Sequence, residues 1–178
     1  MNQELAELLA SVKNRRQLAR RAEELLKTDD AYNVIIRGHT LLHAAMNDAL
    51  RTKATNREAF DKTELGFPVL VHLLAAFDIL KHKQSVQFLL KLNTIRNNLA
   101  HRAEYEPDIA ALDAILPNDI IRPARRHPTA DFYLVKWHII NLIFIMQALE
   151  TQEEATIIRK QMKKKPPKQT GKARHAES

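Results

Sequence analysis

Apolar residues recur every three or four positions along most of the chain, which is the spacing of amphipathic helices. This pattern predicts a first helix over residues 2 to 27, where Arg, Lys and Glu alternate with leucines. It predicts a second helix over residues 31 to 54, for which Thr28, Asp29 and Asp30 offer side-chain oxygens as an N-cap. The core positions expected on this second helix are Ile35, Leu42, Ala45, Met46 and Leu50.

The middle of the chain contains the most apolar segment and the helix that follows it. Residues 52 to 64 are polar and predict a loop or a frayed helix end. Gly66 and Pro68 then mark the start of a helix through "VLVHLLAAFDIL", which is apolar nearly all round and is therefore expected in the middle of the packing. A short polar link leads into "SVQFLLKLNTIRNNLAH", so these two helices are expected to form an antiparallel pair.

The C-terminal third predicts a short helix, a loop and a long helix. The short helix covers residues 108 to 116, and the proline-punctuated stretch "PNDIIRPARRHP" follows it as a loop. The long helix runs from about residue 129 to residue 162 and continues into a basic tail. Since neither a repeat nor sustained strand alternation is visible, the sequence predicts an all-α bundle of five or six helices.

Composition agrees with one helical domain and a tail. Three glycines and seven prolines in 178 residues are few for an all-β protein, and 45% of the residues are hydrophobic. We expect a single domain over residues 1 to 162, with residues 1 to 27 as its amphipathic N-terminal helix, and a disordered tail over residues 163 to 178. The tail sequence "KKKPPK" has nothing apolar to bury.

The net charge of +7 belongs to the C-terminal segment more than to the domain. From Arg159 onward the chain is strongly basic and carries essentially all of the net charge, so the body is close to neutral. Such a tail is suited to loose, salt-dependent binding of RNA or DNA, and it is equally suited to aiding solubility. The high pI therefore says little about the folded domain.

Other sequence features indicate a cytoplasmic protein that does not span a membrane. The chain has no cysteine, and its N-terminus alternates charged residues with leucines instead of forming an apolar leader. The longest apolar run, "IINLIFIMQAL", is about half as long as a membrane span requires and is better suited to a core or a dimer interface.

One arginine stands on the apolar face of the helix that ends in "RNNLAH". On a helical wheel Arg96 falls within the arc of the expected core stripe. Burying a guanidinium costs several kcal/mol (about 2 to 7 for a polar group) unless it is paired or reaches water, so Arg96 is expected to have a partner or to reach solvent. The expected core positions of this stripe are Phe88, Leu89, Leu92, Ile95 and Leu99.

Arg96, Asn97 and His101 form a trio with the chemistry of phosphodiester cleavage. Asn97 and His101 are four residues apart and share a helix face, and the arginine stem is long enough to bend towards them. A permanent cation binds the phosphate, and an imidazole transfers protons near neutral pH. Together these groups are suited to acid–base catalysis at a ribose 2′-hydroxyl or at the leaving oxygen.

The motif "RNNLAH" resembles the signature of the HEPN superfamily, in which arginine, a polar residue, three further residues and histidine follow one another. The resemblance implies a small all-α bundle and a metal-independent endoribonuclease without a cofactor, in which Arg96, Asn97 and His101 form half of a composite cleft. The same residues of a second protomer would complete that cleft in a homodimer. Cleavage in this family leaves a 2′,3′-cyclic phosphate and a 5′-hydroxyl, and toxin, defence and stress-response roles are implied.

Within the superfamily, the stretch from "LGFPVLV" to "NNLAH" looks most similar to the mannitol-operon repressor family. That similarity implies an alternative function as a non-catalytic transcriptional regulator or interaction protein. HEPN toxins with an antitoxin partner carry tyrosine two residues after the histidine, whereas this chain has Ala103 there and Tyr105 further on. Control by modification of that tyrosine is therefore not supported, although an antitoxin or regulatory partner stays open.

Two alternatives to catalysis apply to the trio. Asn97 and its neighbours are also typical of a helix C-terminus, where asparagine caps and a cationic side chain offsets the helix dipole. A HEPN fold in which the trio makes only dimer or ligand contacts is the second alternative.

Several further residues are candidates for RNA contacts or for a metal site. In "HTLLH", His39 and His43 have the spacing of two zinc ligands, but no glutamate lies between them and no clear third ligand follows, so two partly exposed histidines are favoured. Arg37 and His39 are candidates for the same cleft as His101. The basic loop "RPARRHP" is a candidate phosphate-contacting surface, with a solvated turn as its alternative. The complete set of RNA-contact candidates is Arg37, His39, Arg102, Arg122, Arg125 and Arg126.

Overall fold

The computed structural model describes residues 30 to 116 and 130 to 164 without a break, together with positions 16–18, 20–22, 24, 25 and 27. Within those residues the chain forms helices and no strand, which confirms the predicted all-α class. The helices with complete bounds are α1 (Ala31–Lys53), α2 (Arg57–Asp61), α3 (Phe67–Ala76), α4 (Lys83–His101), α5 (Ile109–Asp113) and α6 (Ala130–Lys164). The predictions for residues 1 to 15, for the 117–129 loop and for the tail beyond 164 lie outside the described residues.

Helix α1 is the central element of the bundle, because α3, α4 and α6 all pack against it. It begins after Asp30, whose carboxylate accepts hydrogen bonds from the backbone N–H of Tyr32 (3.1 Å) and Asn33 (3.3 Å). This cap is one of the three predicted from the sequence, and it satisfies two donors that the first helical turn leaves open. All five core positions expected on α1 are buried.

Helices α1 and α6 are in close contact at Gly38. A Cβ atom at this position would lie 2.8 Å from Cδ1 and 3.3 Å from Cγ2 of Ile139, so the side chain of Ile139 occupies the space that glycine leaves. Leu25, on the helical segment that precedes α1, lies beside the same position. Gly38 thus lets three helical elements meet without a gap.

The polar region between α1 and α3, for which the sequence predicted a loop or a frayed helix end, contains the separate short helix α2. Asn56 caps this helix by accepting a hydrogen bond from the N–H of Ala59 (3.0 Å). Arg51 at the end of α1 makes a two-point ion pair with Asp61, with nitrogen to oxygen distances of 2.7 and 3.0 Å. None of the residues of α2 is buried, so hydrophobic spacing gave no signal for it.

Helix α3 starts where Gly66 and Pro68 predicted, but it is shorter and less buried than expected. It ends at Ala76, and Asp78 then adopts a left-handed backbone with φ of 58°. Val69 and Phe77 are 48% and 55% exposed, so α3 buries one face and leaves the other on the surface. The prediction that this segment lies in the middle of the packing is therefore wrong.

Helices α3 and α4 are consecutive and pack against each other, as the predicted pair requires. Residues 81 and 82 separate α4 from the turn at the end of α3, and α4 starts two residues earlier than expected. Four of its predicted core residues, Phe88, Leu89, Leu92 and Ile95, are buried, and Leu99 packs against the core while half-buried. Helix α5 is capped by Asp108, which accepts from the N–H of Ala111 (2.9 Å).

Helix α6 is 35 residues long and carries an unusual buried histidine. His138 is 1% exposed, and no described residue forms a hydrogen bond with either of its ring nitrogens. Its ring and that of Phe88 of α4 form a T-shaped pair with a centroid distance of 4.6 Å and an interplanar angle of 86°. Burial lowers the pKa of His138 to about 4, so the ring is neutral at pH 7. Although α6 is long, no described helix has the length and apolar character needed to cross a membrane.

Candidate functional site

Helix α4 presents a polar row on the side that its buried stripe leaves uncovered. Asn93, Asn97 and His101 follow each other at intervals of four residues, so they line one side of the helix over its last two turns. Asn93 is half-buried, whereas Asn97 and His101 are exposed. Arg96 stands beside this row. The helix is held in place by its apolar stripe, and the row is thereby fixed on a rigid element.

Arg96 leaves the core side of α4 by turning towards the polar row. The residue is half-buried, and its Nη1 donates a hydrogen bond to Oδ1 of Asn97 at 3.1 Å. The aliphatic stem therefore covers apolar surface while the charged head stays near water. The hydrogen bond to Asn97 therefore explains how a charged residue is accommodated at a helical position that is surrounded by core residues.

The contact between Arg96 and Asn97 bears on the capping alternative. Among the described hydrogen bonds, the Asn97 side chain contacts Arg96 and not a carbonyl at the end of α4. The terminal carbonyl of Asn98 is instead satisfied by the backbone N–H of Arg102, at 2.9 Å. His101 is the last residue of the helix, where a cationic ring would also interact favourably with the helix dipole.

A second imidazole meets the polar row from α1. Nε2 of His39 lies 3.0 Å from Oδ1 of Asn93, and the His39 ring stacks on Phe67 with a centroid distance of 4.0 Å and an angle of 18°. Phe67 is the first residue of α3, so this contact joins α1, α3 and α4 at one point. The sequence suggested His39 for the cleft but gave no role to Asn93.

Electrostatics keep His39 neutral. Burial is the largest effect and lowers the pKa of His39 to about 4, while the hydrogen bond to Asn93 acts in the opposite direction. The positive charge of Arg96 lowers the same pKa further, and His43 adds a smaller effect of the same sign. Burial and the charge of Arg96 thus both favour the neutral form of the His39 ring.

The other candidate residues are less closely associated. Arg102 is exposed and is the C-cap residue that follows α4. Arg37 is exposed and lies about 200° round α1 from His39, so it is not brought to the contact with Asn93. The loop arginines Arg122, Arg125 and Arg126 lie outside the described residues.

His43, the partner of His39 in "HTLLH", is engaged in hydrogen bonds of its own. Its Nε2 donates to the carbonyl of Leu65 at 3.2 Å, and its Nδ1 lies 3.3 Å from the amide nitrogen of Asn47. Both histidines are half-buried, as the sequence favoured. Among the described residues, no group of three or more His, Cys, Asp or Glu side chains is arranged to hold a metal ion.

An open groove of about 660 Å³ lies on the far side of His43, between α1 and the segment that leads into α3. Asp48 and the pair Arg51 and Asp61 line it. Burial raises the pKa of Asp48, and the hydrogen bond from Arg51 lowers the pKa of Asp61. The groove is richer in acids than the row on α4, so it is the less suitable of the two surfaces for a polyanion.

Comparisons with protein-family models, with curated proteins and with solved structures give no match for this chain.

Proposed function

We propose that the chain is a metal-independent endoribonuclease of HEPN type that cleaves RNA at a composite site formed by two protomers. The observation that supports this proposal is the placement of Arg96, Asn97 and His101 at the accessible end of a core helix, with the guanidinium hydrogen-bonded to Asn97. The pattern of residues is the one that the HEPN resemblance rests on. A toxin, defence or stress-response role in the cytoplasm is proposed with it.

Each member of the trio has a role that its chemistry supports. Arg96 binds the scissile phosphate and stabilises the charge that develops on its oxygens. His101 is the acid–base group, and Asn97 positions the guanidinium through their hydrogen bond. In the reaction a new bond forms between the 2′-oxygen and phosphorus and the bond to the 5′-oxygen breaks. One proton leaves the 2′-hydroxyl and one is delivered to the 5′-oxygen, for which the two histidines of a dimer suffice.

The test is RNA cleavage in the presence of EDTA by the wild type and by His101→Ala. We expect the wild type to degrade total RNA between about pH 6 and 8, near the range in which histidine transfers protons. Loss of the acid–base group should lower the rate by about 100- to 10,000-fold while the helical circular dichroism spectrum is unchanged. The matched control is His82→Ala, because His82 is an exposed histidine at the opposite end of α4.

Two outcomes would contradict the proposal. Intact RNA after incubation with the wild type would rule out the nuclease and would favour a non-catalytic regulator of the mannitol-operon repressor kind. Equal cleavage by wild type and His101→Ala would identify the activity as a contaminating nuclease.

A further inference from the structure

Both amides of the polar row have their oxygen atoms occupied by donors of the protein itself. Oδ1 of Asn97 accepts from Arg96 at 3.1 Å, and Oδ1 of Asn93 lies 3.0 Å from Nε2 of His39. A side-chain carbonyl can only accept a hydrogen bond, so the His39 nitrogen must be the donor. In each amide the orientation is thereby fixed, and the NH₂ group is turned away from the residue that holds the oxygen.

Asn93, Asn97 and Arg96 together form a donor strip, whose free polar groups can donate hydrogen bonds to a ligand but cannot accept them. No described residue accepts a hydrogen bond from the NH₂ group of Asn93 or of Asn97. The guanidinium of Arg96 lies beside these amides, and it consists of N–H donors only, with no atom that can accept a hydrogen bond. A ligand with acceptors only, such as the oxygens of a phosphodiester, fits such a strip.

The length of the strip exceeds what one phosphate requires. Asn93 and Asn97 are separated by four residues, a rise of about 6 Å along the helix. That distance is of the order of the separation between neighbouring phosphates along one nucleic-acid strand. The half of the strip near Asn93 is therefore not needed for the phosphate that Arg96 and His101 would hold.

We propose that Asn93 forms a subsite for a second phosphate of the RNA strand, adjacent to the scissile one, and that His39 is its positioning residue. Asn93 donates from Nδ2 to an oxygen of that phosphate, while His39 holds the amide in the orientation that makes this donation available. This inference rests on the proposed function for the identity of the strand. It makes the enzyme sensitive to substrate length at a place where no base is read.

His39 is suited to positioning because it keeps its Nε2 proton without becoming charged. Its ring is half-buried, stacks on Phe67 and feels the positive charge of Arg96. Burial keeps the pKa of His39 near 4, so the neutral ring persists across the pH range in which His101 would act. The amide of Asn93 thus has the same orientation throughout that range.

The test compares substrates that differ by one phosphate. A dinucleotide and two trinucleotides, extended on the 5′ or the 3′ side, each carry a single ribose at the scissile position and deoxyribose elsewhere. For the wild type we expect kcat/KM about tenfold higher for one trinucleotide than for the dinucleotide, the value of one hydrogen bond to a charged group. In Asn93→Leu this ratio should fall to near one, and in Asn93→Asp below one because of repulsion. Gln87→Leu removes an exposed amide elsewhere on α4 and should keep the wild-type ratio.

The positioning role has a separate readout. His39→Leu should lower the ratio as Asn93→Leu does, and His39→Gln should restore most of it, because glutamine also has an N–H group for the Asn93 oxygen. The pH profile of dinucleotide cleavage should be the same in both variants, whereas a catalytic His39 would change it.

Failure of the subsite and failure of the nuclease give different results. If the wild type cleaves both substrate classes and the ratio is unaffected by Asn93→Leu, the subsite is wrong while the nuclease stands. If nothing is cleaved, the all-deoxy di- and trinucleotides decide by equilibrium binding. Tighter trinucleotide binding that disappears in Asn93→Leu supports the subsite, and equal binding of both, or none, overturns it.

Discussion

Asp78 is the only residue other than glycine with a positive φ among those that the structure describes, and it ends α3. The N–H of Ile79 bonds to the carbonyl of Leu74 (2.9 Å) and that of Asp78 to Ala75 (3.0 Å), which is the Schellman arrangement. Glycine is the usual residue at this position because it adopts a left-handed backbone without a steric cost. An aspartate there also places a negative charge at the negative end of the helix dipole.

We therefore expect Asp78→Gly to stabilise the protein by about 1 kcal/mol, since the left-handed conformation costs a non-glycine residue about 1 to 2 kcal/mol. Urea denaturation should show a higher midpoint with an unchanged slope. Asp78→Asn separates the two causes, because it removes the charge and keeps a side chain, and its midpoint should lie between those of wild type and Asp78→Gly. A midpoint for Asp78→Gly below wild type would show that the aspartate side chain has a stabilising role.

Among the helices, the packing of α1 on α6 depends on the absence of a side chain at Gly38. Alanine is favoured over glycine inside a helix by about 1 kcal/mol, which opposes the cost of crowding. The new Cβ would lie 2.8 Å from Cδ1 of Ile139, and overpacking of this kind costs typically about 1 to 3 kcal/mol. Crowding should therefore outweigh helix propensity.

We expect Gly38→Ala to be destabilised by about 1 kcal/mol and to be rescued in part by Ile139→Val, which removes Cδ1. In a double-mutant cycle the pair should be more stable than the sum of the single variants by at least about 0.5 kcal/mol. Gly66→Ala is the matched control, because a Cβ at Gly66 meets no atom within 4 Å, and its effect should simply add to that of Ile139→Val. Strict additivity at Gly38 as well would mean that the helices separate to admit the methyl group.

For the molecule as a whole, His138 links stability to acidity. Its ring is neutral in the folded protein because burial lowers its pKa from 6.5 to about 4. The unfolded chain thus binds a proton at a higher pH than the folded chain does, and stability rises with pH in this range. The stability that depends on the neutral His138 ring is fully present above about pH 6.5 and is lost as the pH falls towards 4. A shift of this size corresponds to on the order of 3 kcal/mol.

We predict that His138→Leu flattens the acid limb of the stability curve and leaves the protein at least as stable as wild type at pH 7. Leucine removes two ring nitrogens that no described residue bonds, whose burial is unfavourable. The measurement is the free energy of unfolding at several pH values between 4 and 7. Because the pKa of His39 is lowered too, the stability of His138→Leu should still fall with acidity, but less steeply than that of the wild type. His72→Leu changes an exposed histidine on α3 and should retain the wild-type curve. An acid limb equally steep in His138→Leu would contradict the assignment.

The helices that bury a stripe were predictable from the sequence, and those that do not were missed. Apolar spacing and the Asp30 cap located α1 to within a residue of its observed end. Helix α2 escaped prediction because it buries no residue, and its stability comes from the Asn56 cap and contacts at its ends. The apolar run through α3 looked buried on every side, but the turn at Asp78 ends the helix and leaves Phe77 on the surface.

At the candidate site, the residues that are close in sequence were predictable, whereas the contact between residues distant in sequence was not. Arg96, Asn97 and His101 lie within six residues, so their location at the end of one helix followed from the sequence. The wheel placed only Asn97 and His101 on the same face, and the hydrogen bond from Arg96 to Asn97 is what joins Arg96 to them. The contact between His39 and Asn93 spans 54 residues along the chain and depends on how α1 packs against α4, which periodicity does not determine. Asn93 had one local signal, its position four residues before Asn97, which places it on the same row.

The stacking of His39 on Phe67 has a magnetic consequence. Protons held over the face of a phenyl ring experience its ring current, so the carbon-bound protons of the His39 imidazole should resonate upfield of those of an exposed histidine. With centroids 4.0 Å apart, this shielding depends steeply on the separation between α1 and the first turn of α3. The His39 signals thus provide a native nuclear magnetic resonance reporter of the junction beside the polar row.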